Sequence, residues 1–173
     1  MERKTFRVNV VMVISMLIIM LMSTSTYAAN MNLYSNTDLT QTTGMSETEF
    51  VEYCNGMKYD KAGFYKRNAS YIYQCCKKYG FNELAFIGIS AWEGGWCQHG
   101  NSYNYYGLGN YKYSSERDGI NHFISYLTSN YLNNNGKYFN GKTIKAINVK
   151  YNTVNPDWYW GVLECAQSSK KRK

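Results

Sequence analysis

Proline is almost absent: Pro156 stands alone in 173 residues, so little in the chain interrupts a helix. Histidine is nearly as scarce. Neither His99 nor His122 stands at ligand spacing from a second donor, so no zinc site is expected, and no metal or cofactor is implied. Strand signals are confined to the stretch from Tyr105 to Tyr113. Long apolar runs are missing too. The one run, Val10 to Met22, has thirteen residues, short of the roughly 20 that a bilayer span requires. It follows Arg3, Lys4 and Arg7 and ends in Ser23-Thr-Ser-Thr-Tyr-Ala28, so residues 1–28 read as a signal peptide with small residues at Thr26 and Ala28 for cleavage before Ala29. No cysteine follows the run, which argues against a lipid anchor. A membrane enters only in the alternative that this segment stays uncleaved.

A basic surface is lacking as well. The whole chain carries +7, but without the leader 16 basic side chains face 11 acidic ones, a net of +5. Setting aside Lys170-Lys-Arg-Lys173 leaves +1, too little for a nucleic-acid-binding stripe. The tail, residues 169–173, reads as a solvated basic terminus. No nucleic-acid partner is expected, and a monomer is.

What the chain does have is helical patterning. Residues 29–45 are polar and aperiodic and are expected to form a flexible leader to a domain at 46–168. Ser46-Glu-Thr-Glu49 is a capping box that opens a short amphipathic helix through Phe50, Val51 and Cys54. Further helices are expected from about Gly63 to Tyr79, through the segment ending at Glu93, and from Glu116 or Asp118 to about Tyr131. Two more should run from Thr143 to about Tyr151 and from Pro156 to Gln167. Five cysteines remain after the leader: Cys54, Cys75, Cys76, Cys97 and Cys165. The odd number permits at most two disulfides within a chain. Cys97 and Cys165 are a reasonable pair, with reduced, buried thiols as the alternative, and connectivity does not follow from sequence.

The most informative segment is Ala85-Phe-Ile-Gly-Ile-Ser-Ala-Trp-Glu93-Gly-Gly-Trp-Cys97. No charge occurs between Leu84 and Trp92, and Glu93 follows Ile89 by one turn and Phe86 by two, so its carboxylate sits on a dry helical face. Desolvation and the negative end of the helix dipole both raise a carboxyl pKa, which is what a general acid needs. The alternative is a helix end whose glutamate simply reaches water.

Together with Ser90-Ala-Trp-Glu93, the turn Asn104-Tyr-Tyr-Gly-Leu-Gly109 resembles the endo-β-N-acetylglucosaminidase-like domain of bacterial autolysins and flagellar wall-opening hydrolases. In that family a glutamate ending a buried helix is followed by an Asn-Asn-x-Phe-Gly-like turn, and here Tyr103 replaces the first asparagine. Tyr113-Ser-Ser-Glu-Arg-Asp-Gly-Ile120 is similar to its Tyr-x-Ser-x-x-x-Gly-Ile segment, and Tyr151-Asn-Thr-Val-Asn-Pro-Asp-Trp158 to its Tyr-Ala-Thr-Asp-Pro segment. Gly63-Phe64 through Tyr79-Gly-Phe-Asn82 matches the helix and turn before the catalytic helix, so the resemblance covers about residues 60 to 167.

The resemblance implies a mainly α, lysozyme-like fold, and a secreted, wall-located enzyme whose partner is the glycan strand of peptidoglycan. Glu93 would be the catalytic acid and Tyr151, a second catalytic residue, would face it and orient the acetamido group or stabilise charge; Asn104 would hold the sugar or brace Glu93, and Tyr105, Tyr106 and Gly107 would bind substrate with it. Eighteen tyrosines and four tryptophans exceed what a core of this size hides, and aromatic rings are common sugar platforms. Tyr103, Tyr105, Tyr106, Tyr111, Tyr113, Trp96, Trp158 and Trp160 are the candidates for a glycan groove. Where many members carry a second glutamate in a β-hairpin, this chain has only Gly109 to Lys112, so that lobe is reduced or absent. Glu116 and Asp118 are the nearest second carboxylates, and a helix N-terminus explains both equally well. The expected chemistry is therefore a single-acid, substrate-assisted cleavage. A lytic transglycosylase or muramidase, or a non-catalytic wall-binding module, are the alternatives.

Overall fold

The computed structural model describes residues 32–169, and the expected signal peptide and basic residues 170–173 lie outside them. The described chain is mainly helical. The helices are α1 (Glu47–Asn55), α2 (Phe64–Tyr79), α3 (Glu83–Gly94), α4 (Glu116–Leu127), α5 (Ile144–Tyr151) and α6 (Trp158–Ser168). Among the described residues no helix is long and apolar enough to cross a membrane.

Local chemistry accounts for most of the boundaries. Ser46 and Glu49 form a reciprocal capping box at α1. Asn82 Oδ1 accepts the N–H groups of Leu84 and Ala85, each at 3.1 Å, and starts α3. Ser115 and Thr143 cap α4 and α5 through Asp118 N–H and Ala146 N–H. Gly80 and Gly95 end α2 and α3 in the left-handed conformation at φ 63° and 52°, where a Cβ is disfavoured.

α3 is the central element, with Glu83 through Ala91 all buried. It packs most closely on α6, and two glycines set the approach. A Cβ at Gly88 would stand 2.6 Å from the Val162 carbonyl oxygen, and one at Gly161 would stand 2.5 Å from the Trp92 ring. The core continues through Phe81, Phe86, Phe123 and Leu127 to α4.

Three expectations change. The fourth helix does not run as one α-helix to Tyr131: it leaves α geometry after Leu127 and continues as a π turn over Thr128–Leu132. There Thr128 Oγ1 donates to the Ile124 carbonyl at 2.6 Å and Asn130 Nδ2 to that of Tyr126 at 3.0 Å, loading carbonyls that ordinary helical spacing would use. The leader is not loose from residue 32 onward. Leu33, Leu39, Thr43 and Met45 are buried, Leu39 N–H donates to the Lys142 carbonyl at 2.8 Å, and Thr43 N–H donates to the buried Glu83 carboxylate at 2.8 Å. Finally, no strand forms between Tyr105 and Tyr113. Among the described residues the only pairing is an isolated bridge between Asn101 and Asn104, because Ser102, Tyr103, Gly107 and Gly109 all take positive φ and coil the segment.

The glycine contact between α3 and α6 makes Gly88→Ala a costly change, because the obstructing atom is backbone and cannot swing away. Overpacking of this kind costs roughly 2–3 kcal/mol. Gly56→Ala, whose nearest neighbours lie at 3.5 and 3.6 Å at ordinary helical φ, is expected to be neutral or slightly stabilising. Urea denaturation of the two variants checks the contrast, and equal midpoints would contradict it.

Candidate active site

Glu93 occupies the last turn of α3, where Gly95 reverses the chain and Trp96 N–H returns to the Ala91 carbonyl at 2.9 Å. Its side chain is half-buried and held from two sides. Oε1 accepts the indole N–H of Trp158 at 2.6 Å, from a ring that is itself fully buried at the start of α6. Oε2 lies against Gly107, so closely that a Cβ there would come within 2.4 Å of it. Burial raises the Glu93 pKa above the ordinary carboxyl range, and the Trp158 hydrogen bond offsets part of that rise. The carboxyl opens onto a cavity of about 650 Å³ shared with His99, Asn104, Gly107, Tyr111 and Lys112.

The loop that brings Gly107 to Glu93 is fastened along its length. Asn104 Nδ2 donates to the carbonyls of Leu108, Gly109 and Tyr111 at 3.3, 3.3 and 3.1 Å. The Tyr106 ring is fully buried and stacks on Phe123 at 4.5 Å. The Tyr151 hydroxyl donates to the Tyr106 carbonyl, while the Tyr151 ring lies 5.0 Å from Trp158. Burial and the neighbouring Glu93 charge push the Tyr151 hydroxyl well above its ordinary range, so it acts as a neutral donor. Asn104, Tyr106, Gly107, Tyr151 and Trp158 thus form one frame around the Glu93 carboxyl.

Several expected roles change on this geometry. Trp158, Tyr106 and Tyr113 are buried and are not groove platforms: Trp158 braces Glu93, Tyr106 is core, and the Tyr113 hydroxyl shares a 2.9 Å hydrogen bond with His122 Nδ1. Trp96 packs on Tyr59 and Tyr65, and Tyr105 edges against Phe64 at 5.1 Å. Tyr103, Tyr111 and Trp160 are exposed, but only Tyr111 lines the Glu93 cavity.

Glu116 is not a second carboxylate in this cavity. It takes Arg67 Nε at 2.9 Å and Asn68 Nδ2 at 2.7 Å, with a salt bridge to the second guanidinium nitrogen, and lines a separate depression. Burial there pushes its carboxyl up, but Arg67 and Asn68 outweigh burial and hold it below the usual range. Asp118 accepts from Ser114 N–H at 3.0 Å and Ser114 Oγ at 3.1 Å, which fits the helix N-terminus reading. Among the described cavity-lining residues, Glu93 is the one carboxylate.

All five cysteines are free thiols. Cys97 is not paired with Cys165; it lies beneath α3, with its Sγ 3.4 Å from the Tyr65 hydroxyl and 3.8 Å from the Ser90 carbonyl. Among the described residues no three His, Cys, Asp or Glu side chains group as metal ligands. The sequence reading missed His99 and Lys112 as cavity residues, and neither carries a motif that marks it. No protein-family model matches the chain, and comparison with curated proteins finds no similar sequence.

Three variants test this frame. Trp158→Phe removes the donor that favours the Glu93 carboxylate, so the Glu93 pKa measured by NMR titration should rise further; an unchanged or lower value would contradict the bond. A carboxyl with a raised folded pKa contributes stability below its unfolded pKa and loses it as pH rises through the folded one, so Glu93→Gln should gain on the wild type across that window. Separately, Gly107→Ala places a Cβ at φ +68° against Glu93 and is expected to cost roughly 2 kcal/mol and to shift the Trp158 Nε1–H resonance. A normal melting profile with an unmoved indole signal would refute the contact.

Proposed function

We propose that the protein is a secreted peptidoglycan hydrolase, an endo-β-N-acetylglucosaminidase with a lysozyme-like arrangement, in which Glu93 is the general acid. The observation that carries this reading is the half-buried Glu93 carboxyl, raised in pKa and oriented by Trp158, facing a polar cavity with no second carboxylate among its described lining residues. The sequence resemblance over about residues 60 to 167 supports the substrate class, and a mainly helical body is compatible with it.

The chemistry follows from one acid and one acetamido group. Glu93 gives its proton to the glycosidic oxygen as the C1–O bond breaks, and the leaving chain departs as an alcohol. The carbonyl oxygen of the substrate's own 2-acetamido group bonds to C1 and takes up the positive charge as an oxazolinium ring. Glu93, now a carboxylate, accepts a proton from water as that water attacks C1 and reopens the ring. Tyr151 acts through the loop: its hydroxyl holds the Tyr106 carbonyl and thereby the Gly107 wall. The same single carboxylate also fits a lytic transglycosylase, in which an intramolecular hydroxyl replaces water.

Mass spectrometry of soluble products from purified peptidoglycan tests the reading. Reducing-end N-acetylglucosamine is expected from the wild type, with Glu93→Gln slower by roughly 10²–10⁴-fold. Anhydro products would transfer the reaction to the transglycosylase class, and reducing N-acetylmuramic acid to the muramidase class. Glycan binding without products would leave a wall-binding module.

A further inference from the structure

The outer part of the Glu93 cavity contains a platform and a charge that the cleavage chemistry does not use. Tyr111 is 47% exposed, yet its ring is fixed from behind. It lies parallel to Tyr113 at 6.3 Å and 2°, 4.7 Å from His122 and 6.1 Å from Tyr126. The Tyr113–His122 hydrogen bond locks the two rings beneath it, and Asn104 holds the Tyr111 carbonyl. A preorganised ring of this kind contributes contact area with little ordering cost on binding.

Next to it stands Lys112, exposed and lining the same cavity. The one salt bridge among the described residues joins Arg67 to Glu116, so no carboxylate there neutralises Lys112. Glu93, the one carboxylate among the described lining residues, makes no salt bridge with Lys112, and its Oε1 takes the Trp158 indole N–H. A ligand that enters therefore meets a flat aromatic face, beside it a cation that no salt bridge among the described residues engages, and the Glu93 carboxyl deeper in.

We propose that Tyr111 and Lys112 form a subsite selecting a sugar with a carboxylate substituent, the ring stacked on Tyr111 and the carboxylate drawn to Lys112. This rests on the glycan reading of the same cavity and adds to it which sugar sits at the rim. On strands whose stem peptides have been removed, so that the lactyl carboxylate is free, the alternation of neutral and acidic sugars then fixes the register in which the strand lies over Glu93.

Affinity measured without turnover tests it. The Glu93→Gln protein is titrated with two tetrasaccharides, one alternating N-acetylglucosamine with N-acetylmuramic acid, the other N-acetylglucosamine throughout. The acidic sugar is expected to bind roughly fivefold more tightly in low salt, and adding Lys112→Gln should abolish that preference while leaving the neutral affinity unchanged. Adding Tyr111→Ala should weaken both sugars by roughly five- to tenfold, with circular dichroism confirming an unaltered fold. No preference in the Glu93→Gln protein, a preference that survives Lys112→Gln, or no binding of either sugar overturns the subsite. Failure of the wild type to cleave peptidoglycan, with the affinity pattern intact, would sink the hydrolase reading and leave the subsite standing.

Discussion

The hydrogen bond from the Trp158 indole to Glu93 depends on how closely α6 can lie on α3, and much of the site's geometry depends on that bond. Gly88 and Gly161 remove the side chains that would hold the helices apart, and the buried start of α6 then reaches the exposed end of α3. Two elements separated by 65 residues in sequence share one carboxyl group. The indole donor does two opposing things for Glu93. It favours the charged form, while the burial that accompanies it disfavours that form, and burial wins. The result is a carboxyl in a fixed orientation that still holds its proton above the ordinary range.

The second constraint on Glu93 comes from an irregular loop, and irregular segments hold a position only when their backbone groups are satisfied. Here Asn104 takes three carbonyls, Tyr113 N–H donates to the Ser102 carbonyl at 2.9 Å, and Tyr151 takes the Tyr106 carbonyl. The Tyr106 ring anchors the middle of the loop in the core, although its hydroxyl finds no partner among the described residues. Phe123 and Tyr113 enclose that ring, so the aromatic richness of the chain serves packing first. The tyrosine and tryptophan rings left to solvent are fewer, and Tyr111 is the one of them that lines the cavity.

Acidic residues illustrate how context separates identical side chains. Glu83, Glu93 and Glu116 all stand at or near a helix end. Glu83 is sealed in the core and fastens residue 43 to α3. Glu116 is neutralised by Arg67 and supports the start of α4. Glu93 alone has a neutral donor on one oxygen and a glycine on the other, and its carboxyl, raised in pKa by burial, faces a cavity.

The helices were legible in the sequence because their determinants are local: Ser46 with Glu49, Asn82, Ser115 and Thr143 at the starts, Gly80 and Gly95 at the stops. Glu93 was legible for the same reason, since an uncharged run ending in one carboxylate is a local pattern. Burial of Leu33 and Leu39 was not legible, because isolated apolar residues without periodicity reveal nothing about the surface they meet. The tyrosines clustered from 105 to 113 imitated a strand, and positive φ within and just before that stretch turned it into a loop. The sequence by itself therefore determined where the helices lie, the capping box at Ser46 and the placement of Glu93 at the end of α3. Only the tertiary structure decided that Trp158 braces the acid, that Tyr106 and Tyr113 are core, that Glu116 serves Arg67, and that Lys112 shares the cavity with Glu93. The physical reason is range: caps and periodicity act within a few residues, whereas desolvation and hydrogen bonding at Glu93 come from residues that chain folding alone brings together.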